Sequence, residues 1–172
     1  WLAKAYGSIG IVFSEQSNYS KALQFHLKAV KIYELIKDEK KCAQVYNNIG
    51  VEYKSQNNDF KALEYFFKAQ NIQKKLNDPT VGITLTNIAN CYLKQKNNEK
   101  AIEYYSKAKN NIDKNPDARA LSEWYNNMGL YCQAIKNPTK AIENWNLAIQ
   151  TSKIIDDKFS VANTYLFLGQ LY

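Results

Sequence analysis

Residues 46–69 read YNNIGVEYKSQNNDFKALEYFFKA, a stretch in which apolar and polar residues alternate at helical spacing. Before the polar break QNND, apolar and small residues recur at helical period: Tyr46, Ile49, Gly50 and Tyr53. After the break a second stripe of the same kind follows: Ala62, Phe66 and Ala69. Each stripe predicts a short amphipathic helix. Neither helix can bury its apolar face alone, so the pair needs neighbours.

The same pattern recurs along the chain at intervals of 40, 39 and 40 residues. The alanines that mark the second helices are Ala22, Ala62, Ala101 and Ala141. Seven residues after them stand Ala29, Ala69, Ala108 and Ala148, and between the two sets lie His26, Phe66, Tyr105 and Trp145. Twelve residues before the first set stand Gly10, Gly50, Ala89 and Gly129, and Gly169 opens a fifth copy. A side chain larger than a methyl group at a helix crossing pushes the helix axes apart, so this register predicts close packing.

The helix boundaries follow from polar breaks and capping residues. First helices are predicted over residues 3–16, 41–56, 80–96, 118–136 and 159–172, and second helices over 19–37, 59–76, 98–114 and 138–155. The turns within the pairs are SNYS, NNDF, NNEK and NPTK, in which Asn accepts free amide hydrogens of the next helix. In the last of them, Asn137 caps and Pro138 takes the first helical position. The repeats therefore span 3–40, 41–79, 80–117, 118–157 and 158–172, within a single domain of residues 1–172.

The net charge is +7, which permits acidic partners. Of 23 basic residues only Arg119 is arginine, the side chain that binds phosphates and guanine edges in a bidentate fork, so nucleic acid is disfavoured as a partner. Lysines precede the marker alanines as Lys21, Lys61, Lys100 and Lys140. We interpret this row as a solubility face, and a strip for an acidic partner is the alternative.

The three cysteines, Cys42, Cys91 and Cys132, are scattered, which indicates buried thiols and a reducing, cytoplasmic compartment. No run of about 18 apolar residues is present, so no membrane span is predicted. A single histidine, His26, excludes a repeated Cys–His or Ser–His pair. No metal-ligand spacing and no phosphate-binding glycine loop occur. We therefore expect neither an enzyme nor a metal or cofactor site.

The order Tyr46, Ile49, Gly50, Tyr53, Ala62, Phe66, Ala69 resembles the tetratricopeptide repeat, W-x2-L-G-x2-Y followed by A-x3-F. The other copies match it as Tyr6, Ile9, Gly10, Phe13, Ala22, His26, Ala29; as Leu85, Ile88, Ala89, Tyr92, Ala101, Tyr105, Ala108; as Tyr125, Met128, Gly129, Cys132, Ala141, Trp145, Ala148; and as Tyr165, Leu168, Gly169, Tyr172. The family's usual period is 34 residues. The period of about 40 resembles the subset found in G-protein-signalling modulators, kinesin light chains and bacterial peptide-pheromone receptors. The resemblance implies an all-α, right-handed superhelical solenoid of antiparallel helix pairs, with first helices on its concave face.

Asparagines recur two residues before the glycine position, as Asn48, Asn87 and Asn127, and an amide offers both a donor and an acceptor to a peptide backbone. The alternative is that these amides only satisfy neighbouring helix backbones. The predicted peptide-binding residues of the concave groove are Asn47, Asn48, Val51, Lys54, Asn87, Asn90, Lys94, Asn126, Asn127 and Leu130. The groove is weakly basic, so a peptide or helical segment with acidic residues is expected to suit it.

The sequence therefore predicts a non-catalytic protein–protein interaction module, part of a larger scaffold or signalling protein. One alternative is a peptide-sensing domain that controls an attached effector such as a sensor kinase. The other is a structural spacer or self-association array. The final predicted helix, 159–172, carries an apolar face, so self-association through it is also an expectation, as is continuation of the natural protein beyond it.

Overall fold

The structure is a computed structural model that describes residues 1–170. The regular elements of these residues are all α-helices: α1 (Leu2–Glu15), α2 (Tyr19–Leu35), α3 (Glu39–Ser55), α4 (Asp59–Lys75), α5 (Val81–Lys94), α6 (Asn98–Lys114), α7 (Ala118–Ala134), α8 (Pro138–Ile154) and α9 (Lys158–Gly169). The all-α prediction is confirmed. The observed helix ends precede the predicted ends by up to two residues in the first four repeats.

The chain forms two compact units, Trp1–Cys91 and the part that begins at Tyr92. The first unit contains α1–α4 and most of α5. In it α1 packs on α2, α2 on α3 and α3 on α4. The second unit contains α6–α9, in which α6 packs on α7, α7 on α8 and α8 on α9. Each unit is therefore a stack of consecutive helices, as the repeat pattern predicts.

The residues that mark the repeat are the core. All eight marker alanines are fully buried: Ala22, Ala29, Ala62, Ala69, Ala101, Ala108, Ala141 and Ala148. The ring positions between them are buried as well, with His26, Phe66, Tyr105 and Trp145 each at most 1% exposed. Sequence period and burial therefore agree at every marker position of the second helices.

The glycines of the first helices lie directly against the rings. A Cβ atom built on Gly50 would lie 2.5 Å from the Phe66 ring, and one on Gly129 would lie 2.2 Å from Nε1 of Trp145. Such approaches are far below van der Waals contact, so glycine is needed for these rings to pack at these distances. This is the packing reason that the sequence pattern predicts for a glycine in mid-helix.

The turns explain the difference in helix ends. Seven non-glycine residues of the described chain have φ between 50° and 61°: Ser17, Lys37, Asn57, Asn77, Lys96, Lys136 and Asp156. A left-handed residue ends the helix before it. The predicted helices that include residues 37, 96 and 136 therefore end too late.

At six of these seven turns, one residue then serves both helices. In the α3–α4 turn, the Asn58 amide N–H donates to the Tyr53 carbonyl at 2.9 Å and closes α3. The Asn58 side chain accepts from the Lys61 amide at 3.2 Å and caps α4. Capping by asparagine within the pairs is thus confirmed, as is Pro138 at the first position of α8.

The lysine row packs on the preceding first helix. In three of the four copies the ammonium group lies 5.1–5.2 Å from a ring centroid: Lys21 over Phe13, Lys61 over Tyr53 and Lys100 over Tyr92. Exposed contacts of this kind are worth about 0.5–1 kcal/mol. The row therefore stabilises the helix pairs, a role that the sequence analysis missed, and an acidic-partner strip stays a prediction.

The fifth copy is described only in part, because Tyr172 lies outside the described residues. Within α9, Thr164 is buried, whereas Phe159, Tyr165 and Leu166 are 76%, 53% and 65% exposed. A Cβ atom on Gly169 would meet no heavy atom of the described residues within 4 Å. The apolar face predicted for this helix is therefore exposed here, and self-association through it stays a prediction.

Candidate functional site

The asparagines of the first unit join α3 to α5. The Asn47 Oδ1 atom accepts from Thr84 Oγ1 at 3.2 Å and from Asn87 Nδ2 at 3.4 Å. The Asn87 Oδ1 atom accepts from Lys54 Nζ at 3.1 Å. Asn47, Lys54 and Asn87 are half-buried, and Thr84 is buried. The polar face of these two helices is therefore internally hydrogen-bonded, and part of its amide capacity serves the fold.

The second unit repeats the asparagine–threonine bond between α7 and α9. The Thr164 hydroxyl donates to Asn126 Oδ1 at 2.7 Å. Asn126 and Thr164 hold the same register positions as Asn47 and Thr84, three and five residues before the glycine position. A hydrogen bond at one register in both units indicates a structural role for this asparagine position. Sequence reasoning missed the threonines, although both stand at the same distance from their marker residue.

The asparagines that stand two residues before the glycine position have different surroundings in the three copies. The Asn127 amide donates to the Glu123 carbonyl of its own helix at 2.7 Å. Asn87 joins the network between α3 and α5. Asn48 instead lines two pockets on the first-helix side of the first unit, one toward α5 and one toward α1. Asn48 is therefore shared by the two pockets.

The pocket toward α5 is small, and most of the residues that line it have polar side chains. It has a volume of about 120 Å³, and its lining includes Gln44, Asn47, Gln73 and Thr84. The Gln73 Nε2 group donates to Thr80 Oγ1 at 3.0 Å, and Gln73 is 3% exposed. Its Oε1 atom has no hydrogen-bond partner among residues 1–170. The pocket thus offers a buried acceptor to a donor from outside.

The pocket toward α1 has a volume of about 190 Å³ and contains two buried titratable groups. Glu52 of α3 is 2% exposed and His26 of α2 is 1% exposed. The Glu52 Oε1 and His26 Nε2 atoms are 3.8 Å apart, too far for a hydrogen bond. Within the described chain, Glu52 Oε2 and His26 Nδ1 lack hydrogen-bond partners.

Burial shifts both of these groups toward their neutral forms. It raises the pKa of the Glu52 carboxyl, and a hydrogen bond with the Ser14 side chain opposes this with a smaller effect. Burial lowers the pKa of the His26 ring. The imidazole is therefore neutral at neutral pH, and one ring nitrogen is an acceptor.

The remaining predicted site residues are distributed over three places. Val51 lines the pocket toward α1. Asn90 is half-buried and Lys94 exposed, both on α5. Leu130 is half-buried and packs against the core cluster of Cys132, Ala141 and Trp145. The first unit thus brings together five of the ten predicted residues, namely Asn47, Asn48, Val51, Lys54 and Asn87.

The sequence analysis missed Glu52, although the repeat carries a signal for it. Two residues after the glycine position, the other copies have Val12, Cys91 and Tyr131. An acidic residue in a register that is otherwise free of charge marks a departure from the packing pattern. His26 stands at the ring position of the first repeat, where the register predicts close packing, and it lies buried against Gly10.

Further observations concern the cysteines, metal ligands and membrane spans of the described residues. Cys42, Cys91 and Cys132 are buried thiols, as predicted. Residues 1–170 include no group of three His, Cys, Asp or Glu side chains that could hold a metal ion. In the same residues, no helix combines the length and apolar character needed to cross a membrane.

The stacked helix pairs, with small residues at each crossing and a ring between them, define a helical repeat protein. Sequence profiles of the tetratricopeptide repeat match residues 2–36, 41–114 and 80–153. The chain belongs to the tetratricopeptide repeat family, and its fold is an all-α solenoid of helix pairs. Among curated proteins, none matches the chain by sequence.

Solved structures show the same fold at low sequence identity. BtubC (BKLC) from P. vanneervenii is 20% identical with a TM-score of 0.73, and 90% of this chain aligns to 65% of that one. Aspartyl phosphate phosphatase F from Bacillus subtilis is 18% identical with a TM-score of 0.80, and 95% of this chain covers 43% of it. A signal transduction ATPase with numerous domains (STAND), which has a tetratricopeptide repeat sensor and comes from Pyrococcus horikoshii, is 23% identical with a TM-score of 0.75. There 94% of this chain covers 25% of the other.

This chain therefore spans less than two thirds of each of those solved chains. The similarity concerns the fold alone. Tetratricopeptide repeats are protein–protein interaction modules and are typically non-catalytic.

Proposed function

We propose that the chain is a non-catalytic interaction module that binds a peptide or helical segment across the first helices of its first unit. The observation that carries the proposal is the pair of pockets that share Asn48. Pockets side by side can accept alternate side chains of one bound segment. The Asn48 amide between them offers a donor and an acceptor to the backbone of that segment.

The neighbouring network supports this placement. Asn87 and Lys54 lie on the same two helices as the pocket lining, and both are half-buried rather than enclosed. Their mutual hydrogen bond fixes the amide and the ammonium group before a partner arrives. Pre-arranged side chains lose less conformational entropy on binding, so they contribute more to affinity. An acidic partner residue near Lys54 stays a prediction, as do contacts with Asn90, Lys94, Asn126, Asn127 and Leu130.

A peptide library displayed on phage tests the proposal. Peptides selected on the immobilised chain are synthesised, and their affinities are measured by calorimetry. We expect Asn48→Ala to weaken binding at least tenfold, equivalent to about 1.4 kcal/mol. The matched control is Asn71→Ala, an exposed asparagine on the second helix α4. Equal affinities for wild type and Asn48→Ala would place the peptide elsewhere.

A second variant tests an asparagine of the first unit that also has hydrogen bonds within the structure. Asn87→Ala is expected to weaken the same peptides and to lower the melting temperature slightly, because it removes the hydrogen bonds with Asn47 and Lys54. If peptides bind this variant normally, then the Asn87 amide serves only the fold. If no peptide is selected at all, the structural spacer becomes the better interpretation. The sensor alternative and a cytoplasmic location remain predictions.

A further inference from the structure

Two departures from the repeat pattern meet at one place in the first unit. The ring position holds His26, where other copies have aromatic residues. The position two residues after the glycine holds Glu52, where other copies have Val12, Cys91 and Tyr131. In the second unit the matching pair, Tyr105 and Tyr131, forms an edge-to-face contact with centroids 5.9 Å apart. Two rings are therefore enough to pack this register, so packing does not explain why the first unit has a polar pair there.

The polar pair is also incompletely satisfied. Each side chain is at least 98% buried, yet Glu52 Oε2 and His26 Nδ1 have no partner among residues 1–170. A buried polar atom without a hydrogen bond has lost its hydration and gained nothing in return, which is unfavourable. Buried polar groups are nearly always paired, so an unpaired carboxylate oxygen in a pocket indicates a missing donor.

The pocket shape limits what that donor can be. At about 190 Å³ the pocket is smaller than the roughly 300–1,000 Å³ of small-molecule sites, so it suits one side chain. Ile11 and Val51 provide apolar walls, and Ser14 and Asn48 add polar groups. The exposed Glu15 also lines the pocket and provides a second carboxylate.

We propose that this pocket binds the ammonium or guanidinium group of a lysine or arginine side chain on the peptide partner. Glu52 is the counter-charge, and neutral His26 provides a second acceptor. The aliphatic stem of the bound side chain packs along Ile11 and Val51, as lysine and arginine stems commonly do on apolar surfaces. The proposal rests on the proposed function, since it names the partner residue that the first unit recognises.

The energetics favour a cation here over a neutral group. The Glu52 carboxyl is already removed from water, so the desolvation cost of that partner is met in folding rather than in binding. A charged hydrogen bond to it is about twice as strong as a neutral one. The net charge of +7 opposes long-range attraction of a basic peptide. Recognition therefore depends on the local carboxylates, and added salt weakens it less than it weakens a surface ion pair.

Side-chain analogues test the pocket without any peptide. Amide ¹H–¹⁵N spectra of the chain are recorded during titration with n-propylguanidinium, n-butylammonium and the neutral n-propylurea. We expect both cations to shift the Ile11, Ser14 and Asn48 resonances with saturation. The neutral urea should produce shifts at least tenfold weaker at equal concentration. The relative affinities of the two cations then distinguish arginine from lysine.

Variants assign the effect to the pocket. Glu52→Gln keeps the side-chain shape and is expected to weaken cation binding at least tenfold. Glu52→Cys, which places at this register the residue found at position 91, provides a second test if the first variant misfolds. The matched control is Glu64→Gln, an exposed acid on α4, which should bind cations as wild type does.

Three results would overturn the proposal. They are equal shifts from n-propylurea, unchanged binding by Glu52→Gln, and no saturable shift with either cation, which would mean that the pocket holds only water. Each of these leaves the proposed function standing if selected peptides still depend on Asn48. Conversely, cation binding without any selected peptide would support the pocket and contradict the peptide-binding function.

Discussion

His26 and Glu52 in the first unit hold the same register as Tyr105 and Tyr131 in the second. In the second unit two rings meet edge to face and are satisfied by packing. In the first unit an imidazole and a carboxyl stand 3.8 Å apart with an unpaired atom each. The repeat fixes where the two side chains meet, but it does not fix what they are. One register of the repeat can therefore hold either a pair of packed rings or a buried polar pair, and we propose that the polar pair serves recognition.

The largest expected effect contrasts the two ring positions. Tyr105→Ala removes a fully buried ring and should lower the free energy of unfolding by about 3–5 kcal/mol. His26→Ala also removes an unpaired polar atom, so its cost should be about 1 kcal/mol. Urea denaturation followed by circular dichroism measures both. Equal losses would mean that His26 packs as completely as the tyrosine does.

The next effect is the dependence of the free energy of unfolding on pH, which has opposite signs for the two buried groups. The folded pKa of His26 is lowered, so its contribution to stability is full above the unfolded pKa of about 6.5 and is lost as pH falls below it. The folded pKa of Glu52 is raised from 4.5, so its contribution is full below 4.5 and is lost as pH rises through the folded value.

Single variants separate these two contributions. Relative to wild type, Glu52→Gln should lose more stability on acidification from pH 7 to 5, because only the histidine effect remains. His26→Phe should lose less, because only the glutamate effect remains. Thermal melts at half-unit pH intervals measure the differences. The control is Tyr131→Phe in the second unit, because burial raises the pKa of Tyr131 and keeps its titration outside this range. Parallel curves for the two variants would contradict the assignment.

A third effect concerns the feature that the units share. The Asn47–Thr84 and Asn126–Thr164 bonds should each show a coupling energy of about 1 kcal/mol in double-mutant cycles with Asn→Ala and Thr→Val. A coupling energy near zero in both units would mean that these asparagines do not stabilise the fold and are available to contact a ligand.

The smallest effect lies in the turns, where the units are alike. Lys37→Gly and Lys136→Gly each place glycine at a left-handed position, with φ of 56° and 60°. Each should raise the free energy of unfolding by about 0.5–1 kcal/mol, because glycine adopts this conformation without steric cost. Exposed Lys31→Gly in mid-helix is the control and should lower stability by about 1 kcal/mol. Different gains at the two turns would show that the turns are not equivalent.

The sequence predicts the fold well because the repeat reports packing four times over. Gly50, Ala62 and Phe66 each have counterparts in register, and the structure buries them as that register requires. Helix ends were less predictable, since Lys37 and Lys96 carry no sequence mark of a left-handed turn. Because the packing pattern recurs in four copies, the predicted architecture did not depend on the exact position of any helix end.

The candidate site was predicted only in part. The sequence predicted Asn48 and Val51 among the peptide-binding residues, and in the structure both line a pocket. Glu52 was missed because it lies between those predicted residues and the core, and a buried acid looks like a surface residue in sequence. The hydrogen bonds of Asn47 and Asn126 were also not predictable, since they require the distance between neighbouring first helices.

We propose that the His26–Glu52 pair serves recognition, so folding should not depend on it. The most direct test is the free energy of unfolding of His26→Tyr with Glu52→Tyr, which installs in the first unit the pair found at this register in the second. Replacing a buried polar pair with packed apolar groups is often neutral or stabilising by about 1–4 kcal/mol. We predict a double variant at least as stable as wild type that no longer binds n-propylguanidinium. A loss of about 2 kcal/mol or more in urea denaturation would show that folding depends on the pair. Retained cation binding by a folded variant would show that the pair does not bind the cation.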